Sequence, residues 1–181
     1  MLTVLVFSVN DRSGKMNIFV LDEDPEKAVK MLCDCHLRKM CVETAQILSG
    51  VMIRKGIRLD SDMPKPQNVN HPVIVAVDTM DEINWLCVYN SFLHFEYLKR
   101  FEKVHAYEEI SWYYRAYLVK GNNEDCTELA KCCGDMDVSD MDIVTAYRKY
   151  YVEVKKPQLT AKGLWKFTNR EDWTEKMGAI R

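Results

Sequence analysis

The residues best placed to do chemistry fall in one stretch, 33–48, CDCHLRKMCVETAQIL. At 3.6 residues per turn, His36, Lys39, Glu43 and Gln46 recur at i, i+3, i+7 and i+10 and share one side of a helix. Leu37, Cys41, Thr44, Leu48 and Met52 fall on the adjacent side and belong to the core, which puts the His/Glu row where core meets solvent. A carboxylate beside an apolar face is a candidate acid or base, because partial burial raises its pKa while a neighbouring Lys39 or His36 opposes the rise. Glu43 is the one carboxylate on this polar edge that also borders the apolar stripe. The same pattern also fits a plain amphipathic helix with a solvated edge, in which Lys39 and Glu43 form an ordinary i, i+4 ion pair.

Three other groups invite a chemical reading. His71 stands between Asn70 and Pro72 at the end of a loop; Pro72 biases it toward extended backbone, from which its imidazole can reach a site or cap the next helix. Tyr147, Tyr150 and Tyr151 are interleaved with Arg148, Lys149, Lys155 and Lys156, and Trp165, Lys166 and Phe167 repeat that composition. Aromatics among cations suit base stacking and phosphate contact, although tyrosines at helical spacing suit a core equally well. Cys33, Cys35, His36 and Cys41, completed by Cys132 or Cys133, suggest a metal site. On one helix, however, Cys33 and Cys35 point about 200° apart, and no C-x-x-C pair occurs, so no metal is expected. No G-x-x-x-x-G-K loop is present, and no cofactor is called for.

The elements that must position these residues read as mainly α. The chain of 181 residues is 48% apolar, enough for a single domain spanning 1–181 with its own core. β-branched and aromatic runs at 2–9 and 16–21 flank a turn-like NDRSGK and predict an N-terminal β-hairpin, with Met16 as an alternative start. About five helices follow: 25–53, with Gly50 as a point of interruption; 80–101, opened by the capping box Thr79-Met80-Asp81-Glu82; 108–119; 124–133; and 140–154. Residues 55–72 read as a long surface loop, and the pattern dissolves into a tail after Pro157.

Net charge is -2, but it is divided unevenly. Residues 145–181 carry nine Lys/Arg against four Asp/Glu, while the body before them is acidic. A basic, aromatic C-terminal segment is what a phosphate-binding surface, or a solvated tail, looks like. Seven cysteines without a cleavable signal peptide predict reduced thiols in a cytoplasm. No apolar run reaches the roughly 20 residues of a membrane span, and oligomeric state is not legible.

The 33–48 stretch resembles the phage pyrimidine-dimer DNA glycosylases of the endonuclease V family, in which a histidine precedes the catalytic glutamate by seven residues on one helix, as His36 precedes Glu43. Two further stretches match in order: Asn70-His71-Pro72 ahead of a helix ending Tyr97-Leu98-Lys99-Arg100-Phe101, and Tyr147-Arg148-Lys149-Tyr150-Tyr151. The resemblance implies a base-excision enzyme acting on a damaged or modified pyrimidine in double-stranded DNA, with or without strand cleavage, in a phage-infected bacterial cytoplasm. It implies catalytic roles for Glu43 and His36, with Glu43 stabilising the sugar cation and His36 touching DNA backbone or phosphate; Lys39, beside Glu43, completes the candidate catalytic set. It implies DNA contacts for His71, Tyr147, Arg148, Lys149 and Tyr151, and the aromatic and basic composition that follows adds Lys155, Lys156, Trp165 and Lys166 to the expected DNA-binding set.

The chain departs from the family in two respects. The family's nucleophile is its N-terminal amine, close before the first helix, whereas Met1 lies thirty-five residues ahead of His36. Arginines that flank the family's glutamate are replaced by Val42 and Gln46. The amine could come from the N-terminus or from Lys39, or Glu43 could activate water. Competing readings are a non-catalytic interaction module that kept the fold, and an enzyme acting on modified nucleotides.

Overall fold

The computed structural model describes residues 17–118, 129 and 131–177. The helices are α1 (Pro25–Lys30), α2 (Asp34–Arg54), α3 (Pro72–Val75), α4 (Met80–Phe101), α5 (Glu108–Leu118), α6 (Ile143–Tyr150), a π-helical turn (Tyr151–Lys155), α7 (Lys156–Ala161) and α8 (Thr174–Met177). The architecture is mainly α, and the described residues contain no strand. No helix among them is long and apolar enough to cross a membrane.

The expected hairpin is therefore corrected in its second strand, while the first lies outside the described residues. Ile18, Phe19, Val20 and Leu21 are each buried to within 1% of full burial, so both sides of this segment face apolar surroundings. A strand needs a partner ladder. Here side chains satisfy the backbone instead, with Tyr89 Oη donating to Phe19 O at 3.3 Å and Arg148 Nε to Leu21 O at 2.6 Å. The β-branched composition thus builds a buried strap threaded between helices.

The expected 25–53 helix is two helices. Asp24 caps α1, with Pro25 in its first turn, and the chain breaks at 31–33 before Cys33 takes extended backbone (φ -69, ψ 160) as the N-cap of α2. Remote side chains occupy the backbone groups that the break frees. Arg100 Nη1 donates to Leu32 O at 2.7 Å, Arg100 Nη2 to Lys30 O at 3.0 Å, Trp173 Nε1 to Met31 O, and the Cys33 N–H goes to Tyr151 Oη at 2.9 Å. Gly50 does not interrupt α2, which continues to Arg54. Its missing side chain lets α3 approach, because a Cβ there would lie 2.6 Å from Ile74 Cδ1.

α4 begins at the Thr79/Glu82 capping box as its sequence predicts, packs on α1, α2 and α5, and ends at Glu102 in left-handed conformation (φ 54). The 124–133 helix falls largely outside the described residues, and Leu129 and 131–133 have no regular structure. The last helical stretch continues past Pro157, because the π turn bonds Lys156 N–H to Tyr151 O and α7 takes the proline in its first turn.

The tail does not dissolve. Asp34 N–H donates to Lys166 O at 2.8 Å, Thr168 N–H and Oγ1 bind the Asp34 carboxylate, and Arg170 forks onto Glu96 at 2.7 and 2.8 Å. These bonds tie the C-terminal segment to the first turn of α2 and to α4.

Candidate active site

α2 carries Glu43 into a pocket of helix and strap where it is only 5% exposed. Lys39 Nζ lies 3.1 Å from Oε1, one turn earlier, with its own side chain 44% exposed. The backbone N–H of Asn17, from the buried strap, donates to Oε2 at 3.3 Å. Burial raises the Glu43 pKa above its ordinary 4.5, against the opposing charge and hydrogen bond of Lys39, the Asn17 N–H and the more distant charge of Lys155. A carboxylate so placed can oppose positive charge that develops nearby, and its raised pKa suits it to take or return a proton.

Asn17 is a candidate site residue that the sequence reading does not include. Its side chain is fixed from two directions, with Tyr147 Oη donating to Oδ1 at 3.1 Å and Nδ2 donating to Cys132 O at 2.8 Å. The only signal was its position at the head of the apolar run, and a strand reading hides that. Tyr147 thereby acquires a place near the site, but as a buried anchor for Asn17 and not as a stacking surface: its ring is 0% exposed.

The other expected residues divide. His36 is corrected from the DNA face to the core. Its ring is stacked on Phe19 at 4.5 Å, and Nδ1 lies 3.0 Å from Tyr151 Oη. Tyr151, also 0% exposed, is the hub of this cluster and offers no face to a base. His71 is buried and caps α3, accepting Val73 N–H on Nδ1 at 3.3 Å. Arg148 is committed to Leu21 O and, at 2.8 Å, to Asp22.

Lys156 donates to Thr174 Oγ1 at 2.7 Å and lies 3.5 Å from Asp172, while Trp165 Nε1 donates to Asp172 at 2.6 Å beneath it. Lys149 is half-buried, Lys155 sits 5.0 Å over the Tyr150 ring, and Lys166 is exposed. Of the cations expected to meet DNA, Lys149, Lys155 and Lys166 thus keep exposed or part-exposed side chains, as does Lys39 beside Glu43.

The cysteine geometry also differs from the helical expectation. Because Cys33 stands outside the helix as its N-cap, its Sγ comes within 3.5 Å of Cys35 Sγ. The Cys33 thiol is pushed to lower pKa by its hydrogen bond with Cys35, helped by His36 and Tyr151 against burial, and Cys35 is pushed up correspondingly. Metal-ligating side chains converge elsewhere, at Cys41, His94 and His105. Cys41 is two positions from Glu43 and so projects from the far side of α2.

A family model described as pyrimidine dimer DNA glycosylase matches residues 16–108, a span that contains Asn17, His36, Lys39, Glu43 and His71. No curated protein and no solved structure matches the chain.

Proposed function

The chain belongs to the pyrimidine dimer DNA glycosylase family, and from that membership we propose that it excises a damaged or modified pyrimidine from double-stranded DNA with Glu43 as its central catalytic group. The observation that carries this reading is the pairing of a buried carboxylate with the backbone nitrogen of Asn17, 3.3 Å apart. In a longer chain that nitrogen is an amide and cannot attack. In a chain whose first residue is Asn17, the same nitrogen is an amine held beside Glu43, and the family match begins one residue earlier.

An amine there can attack C1′ as the glycosidic bond breaks and its electron pair leaves with the base, which picks up a proton. Opening of the C1′–O4′ bond then yields an imine, with Glu43 balancing the cationic sugar and handling the proton at O4′. Lys39 Nζ, 3.1 Å from the same carboxylate, is the second amine within reach. Phosphate contacts fall to Lys39, Lys149, Lys155 and Lys166, while Tyr147, Tyr151 and Arg148 hold the strap and helices behind them.

The test uses two forms of the protein, the 181-residue chain and one released with Asn17 as its free N-terminus. Each is incubated with duplexes carrying a thymine dimer or an abasic site, with and without borohydride. The proposal expects a reduced covalent adduct from the Asn17-first form and little from the longer one. An adduct from both forms that disappears in Lys39→Arg assigns the amine to Lys39. Base release without adduct assigns attack to water, and duplex binding without either product leaves a non-catalytic module.

A further inference from the structure

On the side of α2 away from Glu43, three side chains from three segments meet: Cys41 of α2, His94 of α4 and His105 of the turn that follows α4. Their candidate ligand atoms all lie within 4.8 Å of one another. Cys41 is 0% and His94 3% exposed, while His105 is half-buried. Both ring nitrogens of His94 are buried without a hydrogen-bond partner among the described residues. A buried imidazole with two unused polar atoms is costly.

From this convergence we infer that Cys41, His94 and His105 bind a divalent zinc ion. One thiolate and two imidazoles form a borderline-soft donor set suited to tetrahedral Zn²⁺, and three protein ligands leave the fourth position to a water. Zinc bonds of about 2.0–2.3 Å place ligand atoms roughly 3.5 Å apart. Small side-chain rotations therefore close the observed spacing.

The rings are already held near that arrangement. His105 lies 5.2 Å from His94 and packs edge-on against Tyr97 and Tyr107 at 5.1 and 5.6 Å. Its Nδ1 accepts the Tyr107 N–H at 3.2 Å, a contact that gives way when the ring binds a metal. Burial, with His105 nearby, lowers His94 to about 4, so its imidazole is neutral at physiological pH. Burial also pushes the Cys41 thiol up to about 12, so metal binding must displace its proton, which leaves to solvent. The ion pins the turn after Glu102 onto α2 and α4. That role is separate from the face that carries Glu43.

The experiment is titration of chelator-stripped protein with Co²⁺, followed by Zn²⁺. The expected result is about one equivalent of tetrahedral Co²⁺, seen as visible d–d bands with a thiolate charge-transfer band, all removed by Zn²⁺. Cys41→Ser should abolish the charge-transfer band. His105→Ala, at a half-buried turn and checked for folding by circular dichroism, should weaken binding at least about tenfold. Zn²⁺ should also raise the melting temperature of the unmodified chain and not that of His105→Ala. Binding without a charge-transfer band, full affinity in folded His105→Ala, or no binding at all overturns the inference. If Cys41→Ser fails to fold, His105→Ala decides.

Discussion

Glu43→Gln separates a catalytic carboxylate from a helix-edge ion pair, because a catalytic role predicts a large loss of activity with little change in stability. The folded-state pKa of Glu43 is raised, first by burial and against Lys39 and the Asn17 N–H. Folding therefore favours the protonated form. Stability gained from this group is present at low pH and is lost as pH rises through the folded pKa, where a buried charge must be maintained.

At pH 7 glutamine removes that burden and also removes the ion pair to a Lys39 that is 44% exposed, an interaction of about 0–1 kcal/mol. The two effects oppose each other, so unfolding free energy should change by less than about 1 kcal/mol and Tm by no more than about 4 °C for a chain of this size. Loss of a preorganised group facing transition-state charge typically lowers turnover by about 10²–10³, or about 2.7–4 kcal/mol. Single-turnover base release from a thymine-dimer duplex measures this loss, and thermal melting measures the stability. The ascending acid limb of the wild-type pH–rate profile should lie above the ordinary carboxyl value of 4.5 and be absent in the variant. Wild-type turnover in Glu43→Gln, or a stability loss greater than about 2 kcal/mol, refutes the assignment.

Three further outcomes follow from other parts of the molecule. Arg100→Met should destabilise by about 3–5 kcal/mol in urea unfolding, since a fully buried guanidinium leaves Glu96, Asp34 and the Leu32 and Lys30 carbonyls behind. Burial pulls the Glu96 carboxyl upward, but hydrogen bonds from Arg170 and Arg100 hold it below 4.5. Its contribution is therefore complete above 4.5 and is lost as pH falls through the lower folded value, and Glu96→Gln should flatten the acid side of a Tm–pH curve. Lys149→Glu with Lys155→Glu should weaken duplex binding and shrink the salt slope by about 0.9 for each phosphate that is no longer neutralised, whereas Arg148→Glu should mainly lower Tm, because that side chain is held by Leu21 O and Asp22.

What could be read from the sequence followed the range of the interactions involved. The capping box at Thr79 and the α4 boundaries are local, and the sequence places them correctly. The side of α2 that carries Lys39 and Glu43 follows from helical period alone, although burial of Glu43 to 5% requires the strap. The errors arose where distant side chains replace backbone partners. The break at 31–33 is held by Arg100, Trp173 and Tyr151, each far along the chain, and nothing between Pro25 and Arg54 announces it. Composition made 16–21 a strand because it registers apolar and β-branched content and not which groups satisfy the backbone. The tyrosines near 150 suited two readings until burial placed Tyr147 and Tyr151 in the core. Cys41, His94 and His105 are separated by 53 and 11 positions, a spacing that belongs to no local metal motif and becomes visible only when α2 and α4 pack.

The C-terminal segment lies outside the residues matched to the family, yet the candidate site depends on it. Tyr147 orients Asn17, whose N–H meets Glu43, and Lys155 adds positive potential at the same carboxylate. Tyr151 receives the Cys33 N–H at the start of α2, and Lys166 and Thr168 secure Asp34 in its first turn. A helix fixed at its first turn holds a side chain two and a half turns later in a defined direction, because backbone hydrogen bonding makes the intervening segment stiff. Glu43 thus takes its chemistry from local burial and its aim from contacts about 14 Å away along α2, which explains why the stretch around it resembles a catalytic helix while the residues that position it lie in other parts of the sequence.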